Sequence, residues 1–218
     1  MLGMTRRKWL AASAVIFPAG GALVAGESRS HSGEAHVPKF SPPLSGRDVM
    51  RERFFPNVGL TTHQGKEVRF YDDLIKDKAV VLGFMYASCG DSCPLVTANL
   101  ARVQELLADR VGRDLFFYSI TVEPEEDTPQ KLKVYAETFQ VGPGWLFLTG
   151  KPDDIELLRQ KLGYVDPNPE IDKDKSLHSG MLRYGNEPMS LWASCQGGAK
   201  PEWIAESISW VLPKVTKT

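Results

Sequence analysis

Long apolar runs alternate with amphipathic stretches along the chain from about residue 54 onward. Three of these runs are continuous and rich in β-branched and aromatic residues, which predicts strands buried on both faces of a sheet. They are "KAVVLGFMY" (78–86), "DLFFYSITV" (114–122) and "GWLFLTG" (144–150). After the first run, apolar residues from Val96 to Leu107 repeat at helical spacing, so we predict an amphipathic helix over about residues 94–109.

Turn and capping residues define the remaining elements. Thr128 and Pro129 suit the N-cap and first turn of a helix, and two more helices are predicted in "KPDDIELLRQKLG" and "KPEWIAESISWVL". One hairpin is predicted to turn at residues 63–65 and another at residues 185–186. Strands that alternate with helices indicate an α/β domain, and this order is thioredoxin-like with an added N-terminal β-hairpin.

The N-terminus has the pattern of an export signal. A basic start at residues 6–8 precedes an apolar stretch rich in Ala and Gly, and it is similar to twin-arginine signals, whose cargo crosses the membrane folded. We therefore assign residues 1–26 to an export signal, with cleavage after Ala25 or Gly26. The alternative is an uncleaved membrane anchor, although the apolar run is short for that purpose.

The rest of the chain divides into a linker and one domain. Residues 27–53 are polar and rich in Ser, Gly and Pro, which predicts a flexible linker. Residues 54–218 are assigned to a single folded domain of ordinary size. Export leads us to expect a periplasmic protein, or one anchored to the inner membrane, in a compartment that permits disulfides.

Net charge and cysteine count exclude two classes of protein, nucleic-acid binders and small disulfide-scaffolded proteins. The net charge of −1 gives no electrostatic footprint for nucleic acid. The chain has three cysteines, which are too few for a small disulfide-scaffolded protein. Two of them, Cys89 and Cys93, lie together in "YASCGDSCPLV".

A cysteine pair at this place suits three roles, namely a metal site, a redox couple and a structural disulfide. Pro94 has no N–H and is tolerated only in the first turn of a helix, so Cys93 is predicted at the N-cap or just before it. The positive end of the helix dipole is expected to favour the thiolate forms. Thiolates both attack disulfides and bind metals, so position alone does not separate these two roles.

The spacing of the two cysteines and a histidine later in the chain bear on which of the three roles the pair has. Thioredoxin-type exchange proteins use Cys-x-x-Cys, whereas three residues separate Cys89 from Cys93. Two thiolates suit Cu(I), and an added imidazole, for which His178 is the candidate, also suits Cu(II). A disulfide that closes so short a loop constrains the unfolded chain little, so the purely structural role is the weakest of the three.

Four motifs in order give the chain a resemblance to the Sco/SenC family. They are Cys89-Gly90-Asp91-Ser92-Cys93-Pro94 after an aromatic-rich strand, the block "ITVEPEEDTPQKLKVYAETF", the "FLTG" before a helix, and "LHSG" around His178. The resemblance runs from about Phe55 to the last helix. It implies an exported or membrane-anchored, thioredoxin-like protein that binds copper and helps to mature a copper centre of cytochrome c oxidase.

Carried onto this chain, the resemblance implies that Cys89, Cys93 and His178 are the copper ligands. It also implies that the two cysteines are a redox-active pair that forms a disulfide when oxidised. The copper is Cu(I) or Cu(II), and the implied client is a copper protein such as cytochrome c oxidase subunit II. The alternative function is a thiol–disulfide oxidoreductase, which needs Cys89 and Cys93 but not His178.

The chain also departs from the family pattern. Glu123 and Leu177 stand where the family usually has aspartate, before Pro and before His respectively, so the acidic contribution to the site is altered. Cys195 is an additional thiol, either a small buried residue or a participant in the site. Met85 and Met181 are soft ligands by type, but each lies in an apolar strand and is expected to pack in the core.

Overall fold

The computed structural model describes residues 45–90, 92–173 and 180–213, and these form a seven-stranded sheet with helices on both faces. The order of strands in the sheet is β2-β1-β5-β4-β3-β6-β7. The strands are β1 Gly59–Thr62, β2 Glu67–Arg69, β3 Ala79–Met85, β4 Leu115–Thr121, β5 Trp145–Gly150, β6 Met181–Asn186 and β7 Leu191–Gln196. The helices are α1 Gly46–Phe54, α2 Ser92–Leu106, α3 Pro129–Thr138, α4 Pro152–Lys161, α5 Pro169–Lys173 and α6 Pro201–Ser209, and a π-helical turn covers Phe70–Ile75.

The three continuous apolar runs form the centre of the sheet, as predicted. β3, β4 and β5 are parallel neighbours, while β6 pairs antiparallel with β3 and β1 pairs antiparallel with β5. All seven residues of β3 are buried, because helices cover both faces of this strand. The predicted α/β class is therefore confirmed, and the loop that leaves β3 starts from a strand that is buried on both faces.

Alternate residues of β3 divide the core between the two faces of the sheet. Val81 and Met85 pack with α2, α3 and α6, on the face that also contains Cys89 and Cys93. Val80 and Leu82 point to the opposite face and pack with the π-helical turn, α4 and α1. Met85 thus belongs to the core, as the sequence led us to expect.

The second hairpin turns later than predicted. Gly185 and Asn186 were expected at its turn, but both belong to β6 and pair with Trp192 and Leu191 of β7. A Cβ atom at residue 185 would lie 2.4 Å from the indole of Trp192. The glycine is therefore required by the close approach of the Trp192 ring, and the chain reverses at residues 187–190.

A helix lies inside the range that the sequence assigned to the linker. The side chain of Ser45 caps α1 by accepting a hydrogen bond from the N–H of Asp48. Met50 and Phe54, four residues apart, place apolar side chains against the core beneath the sheet. Most other positions of α1 are charged or polar, which is why its composition resembles that of a linker.

The predicted export signal, residues 1–26, and the linker up to residue 44 lie outside the described residues. Among the helices that the structure describes, none combines the length and the apolar character needed to cross a bilayer.

A buried carboxylate ties α1 to the rest of the domain. Glu187 is 4% exposed, and its Oε1 accepts hydrogen bonds from Nε of Arg47 at 2.6 Å and from the hydroxyl of Tyr71 at 2.8 Å. Its Oε2 accepts from a second Arg47 nitrogen at 2.7 Å and from the N–H of Asp77 at 2.8 Å. Burial alone would raise the pKa of Glu187, but these donors outweigh burial and hold the pKa below its ordinary value.

We expect Glu187→Gln to lower the free energy of unfolding by about 1–3 kcal/mol at neutral pH, because a buried acceptor of four hydrogen bonds is replaced by an amide. A carboxylate with a lowered pKa stabilises the fold above its unfolded-state pKa, and this contribution is lost as pH falls through the folded-state pKa. The difference in free energy of unfolding between the wild type and the variant should therefore disappear below about pH 4. Urea unfolding at several pH values measures it, and a gap independent of pH would contradict this account.

Candidate metal and redox site

Cys89 and Cys93 lie on either side of the start of α2. The N–H of Cys89 donates to the carbonyl of Tyr86 at 3.2 Å, which turns the chain back after it leaves β3. Cys93 is the second residue of α2, so the prediction that it lies at the N-cap or before is wrong. Pro94 follows in the first turn, where backbone N–H groups have no acceptor within the helix and its missing donor is tolerated.

The two cysteine side chains are in contact and buried. Cys89 is 7% exposed and Cys93 is 5% exposed, and their side chains are hydrogen-bonded to one another. Both are thiols in this structure. Two adjacent sulfurs on a loop and a helix start form a soft donor pair, and the same proximity suits thiol–disulfide exchange.

Burial decides the protonation of Cys93. It raises the pKa of this thiol to about 12, and the hydrogen bond with Cys89 acts in the same direction. Backbone hydrogen bonds at the helix start lower the pKa, but their effect is smaller. The expectation that the helix dipole favours the thiolate is therefore wrong for Cys93, because desolvation of the charged form outweighs the dipole.

Tyr86 is a site residue that the sequence reasoning missed. Its side chain is hydrogen-bonded to that of Cys89, and this bond, together with burial, raises the pKa of Tyr86 to about 12. The phenol therefore stays protonated at neutral pH, and its O–H is available to donate to the sulfur. A tyrosine at the end of a strand next to the motif was the available signal, but it was assigned only to the strand.

Asp127 fixes the loop that contains Cys89. It is fully buried, and its Oδ2 accepts hydrogen bonds from the N–H of Ala87 at 2.9 Å and from the hydroxyl of Thr121 at 2.6 Å. Its Oδ1 lies 3.0 Å from Nζ of Lys131. We define the cysteine loop as residues 86–90. Asp127 thus joins this loop to the end of β4 and to the start of α3.

Glu123 provides a second link to the cysteine loop. Its carboxylate accepts a hydrogen bond from the hydroxyl of Ser88 at 3.0 Å, and its N–H donates to the side chain of Thr121 at 2.9 Å. Glutamate in place of the family's usual aspartate therefore keeps an acidic group next to the cysteines, and its side chain holds Ser88.

His178, the predicted third ligand, and Leu177 lie outside the described residues. The chain re-enters the described part at Gly180, whose carbonyl accepts a hydrogen bond from the N–H of Gly197 at 2.8 Å. A Cβ atom at residue 180 would lie 3.2 Å from Val96, so this point of the chain rests on α2 one turn beyond Cys93. Within residues 45–90, 92–173 and 180–213, no cluster of three or more His, Cys, Asp or Glu side chains is arranged to hold a metal.

Cys195 lies on the edge strand β7, in register with Leu182 of β6. It is half-buried, packs against the same core as the cysteine pair, and burial raises the pKa of its thiol. These contacts fit a small apolar residue, which is one of the two roles that the sequence left open.

Comparison with known proteins identifies the family of the chain. The SCO1/SenC family model matches residues 50–212. A Stutzerimonas stutzeri protein, provisionally named a copper-binding protein, is 28% identical over 76% of this chain and 78% of its own length.

Solved structures share the fold. The structure of Bradyrhizobium japonicum ScoI with copper bound matches with a TM-score of 0.54 and 26% identity, over 71% of this chain and 96% of that one. The structure of BsSco, which is described as having a disulfide switch and as a member of the Sco family of cytochrome c oxidase assembly proteins, matches with a TM-score of 0.59 and 21% identity, over 73% of this chain and 93% of that one. With its family-model match over residues 50–212, the chain belongs to the SCO1/SenC family.

Proposed function

We propose that the protein is an exported copper-binding metallochaperone that helps to mature a copper centre of cytochrome c oxidase. The observation that supports this most strongly is the pair of buried, hydrogen-bonded thiols at the start of α2. The copper-binding name of the S. stutzeri relative and the copper in B. japonicum ScoI support the choice of metal. The client in this proposal is a copper protein such as oxidase subunit II.

The ligands in this proposal are the sulfurs of Cys89 and Cys93 and an imidazole nitrogen of His178. Two thiolates suit Cu(I), and the imidazole adds the donor that Cu(II) needs. Binding of the cargo replaces the protons of the thiols, which burial otherwise retains. Tyr86 keeps its proton and donates a hydrogen bond to the sulfur of Cys89.

The proposed place of action is the periplasm, with the inner membrane as the alternative. The basic residues 6–8 and the apolar stretch after them support export. Whether the signal is removed after Ala25 or Gly26 decides between a released protein and an anchored one.

The test is a titration of the reduced protein with Cu(I) and with Cu(II), with His178→Ala as the variant. We expect one equivalent of each ion to bind to the wild type. His178→Ala should lower the affinity for Cu(II) about tenfold or more, and the affinity for Cu(I) less, because both thiolates remain. Absorption at the thiolate-to-Cu(II) charge-transfer band follows Cu(II), and competition with a Cu(I) chelator follows Cu(I). Equal losses for the two ions would contradict the assignment of His178.

The second function is thiol–disulfide exchange by the same pair. It is favoured by the contact between the two thiols and by the disulfide switch described for BsSco. An oxidoreductase needs both cysteines and no imidazole, so His178→Ala should keep full reductase activity toward a model disulfide. No copper binding above background, together with retained reductase activity, would favour this second function over the first.

A further inference from the structure

An apolar groove of about 310 Å³ lies on the face of the sheet opposite the cysteines. Its walls come from α1 and from the C-terminal end of α4, and its floor comes from strands β3, β6 and β7. It shares no residue with the cysteine site, and its surroundings belong to the other half of the core. Any ligand bound there is therefore separate from the proposed copper cargo.

The groove is lined mainly by large apolar side chains. Met50 and Phe54 of α1 form one wall, together with Phe55, which follows the helix. The rings of Phe55 and Trp192 are in contact, with centroids 4.6 Å apart. A lining of this kind, with few polar groups, is typical of sites that bind the apolar body of a small molecule.

The charged groups of the groove are cationic. Arg183 and Lys161 line it, and no Asp or Glu does so among the described residues. The guanidinium of Arg183 lies over the ring of Tyr164 at 5.5 Å and donates one hydrogen bond, at 3.2 Å, to the carbonyl of Gly163. Its Nε is buried and has no hydrogen-bond partner among the described residues.

These two cations also have no carboxylate partner elsewhere in the described part of the chain. The two buried arginines of the described residues do have such partners: Arg110 pairs with Asp114, and Arg159 forms a bidentate pair with Asp172 at 2.6 Å. A planar guanidinium whose terminal N–H groups have one acceptor among the described residues, the carbonyl of Gly163, matches a carboxylate. The groove therefore has charge complementary to an anion.

We propose that this groove binds a small apolar carboxylate of the medium-chain fatty acid class. The alkyl chain lies against Phe54, Phe55 and Trp192, and the carboxylate accepts hydrogen bonds from Arg183, with Lys161 nearby. The volume favours a small ligand over a macromolecule, because it lies at the lower end of the range for small-molecule pockets. The proposal does not rest on copper binding.

The test is calorimetric titration of the full chain with octanoate, below its micelle concentration, beside two matched probes. Octanol has the same chain without the charge, and acetate has the charge without the chain. We expect saturable one-to-one binding of octanoate, with affinity for octanol at least about tenfold lower because the charge-assisted hydrogen bonds are missing, and no binding of acetate. No saturable binding of octanoate, or equal affinity for octanol, would overturn the proposal.

Two variants and a control locate the site. Arg183→Gln should weaken octanoate about tenfold or more and leave octanol unchanged, and Ser194→Phe, on the exposed part of β7, should fill the groove and abolish binding of both. Arg102→Gln removes an exposed arginine of α2 and should change nothing. Octanoate binding that survives both groove variants would place the ligand elsewhere and reject this site. The comparison of octanoate with octanol on the wild type remains decisive even where a variant folds poorly.

Discussion

Replacement of either Cys89 or Cys93 by serine is expected to lower Cu(I) affinity more than about 100-fold. Each change removes one of two soft donors and leaves a hydroxyl, which is a poor ligand for Cu(I). Changes to residues that only support a metal ligand already cost about 10–100-fold, so the loss of a ligand should exceed that range. Competition with a Cu(I) chelator on the fully reduced protein measures the affinity.

Cys195→Ser is the matched control for these variants. It removes a thiol of the same core that does not belong to the pair, and it should leave Cu(I) affinity within about twofold of the wild type because both ligands remain. A loss as large as that of Cys93→Ser would show that Cys195 takes part in the site. Retention of wild-type affinity in either pair variant would refute the metal site as proposed.

Asp127→Asn is expected to disturb both the stability of the domain and the behaviour of the cysteine pair. The change breaks the ion pair with Lys131 and places an amide where the carboxylate accepts from Ala87 and Thr121. Because Asp127 is fully buried and Lys131 is 40% exposed, only one charge of the pair is strongly desolvated, and we expect a loss of about 1–3 kcal/mol. The N–H of Ala87 then loses its fixed acceptor, and the cysteine loop is less well held.

The effect of Asp127→Asn on the Cys89/Cys93 pair can be measured with copper, as an affinity, and without copper, as a redox potential. Cu(I) affinity should fall about 10–100-fold, which is the usual range for residues that orient a ligand. The midpoint potential of the Cys89/Cys93 couple should shift as well, because the geometry of the two sulfurs changes. Glu187→Gln is the control, since it also alters a buried carboxylate but lies in the cluster that holds α1. If both variants lose similar stability and both keep the wild-type affinity and potential, Asp127 has only a structural role.

The predictable parts of the fold are those whose signals come from residues close together in the chain. The run at residues 78–86 and the helical repeat after Pro94 depend on neighbours a few positions apart, and both elements form where the pattern places them. Cys89 and Cys93 were identified for the same reason, because they are close in the chain as well as in space. Gly185 was misassigned because its role depends on Trp192 in the adjacent strand.

The residues that hold the site depend on distant parts of the chain. Asp127 meets Ala87 across forty positions, and nothing in the sequence near either residue indicates the contact. The direction of the Cys93 pKa shift also depended on tertiary burial, which a helix-dipole argument does not include. Helix α1 was missed because it is held by distant residues: Arg47 binds Glu187, 140 positions away, and Met50 and Phe54 pack against the core of the domain.

Under the proposed function, the burial of the two sulfurs also affects the rate at which copper is transferred. With Cys89 and Cys93 each less than a tenth exposed, a donor group of a client protein has little direct access to an ion held between them. Release then requires the cysteine loop to open against its links to Asp127 and Glu123. We expect the frequency of that opening to set an upper limit on the transfer rate, so that Asp127 and Glu123, through their hydrogen bonds to the loop, control the delivery of the proposed cargo.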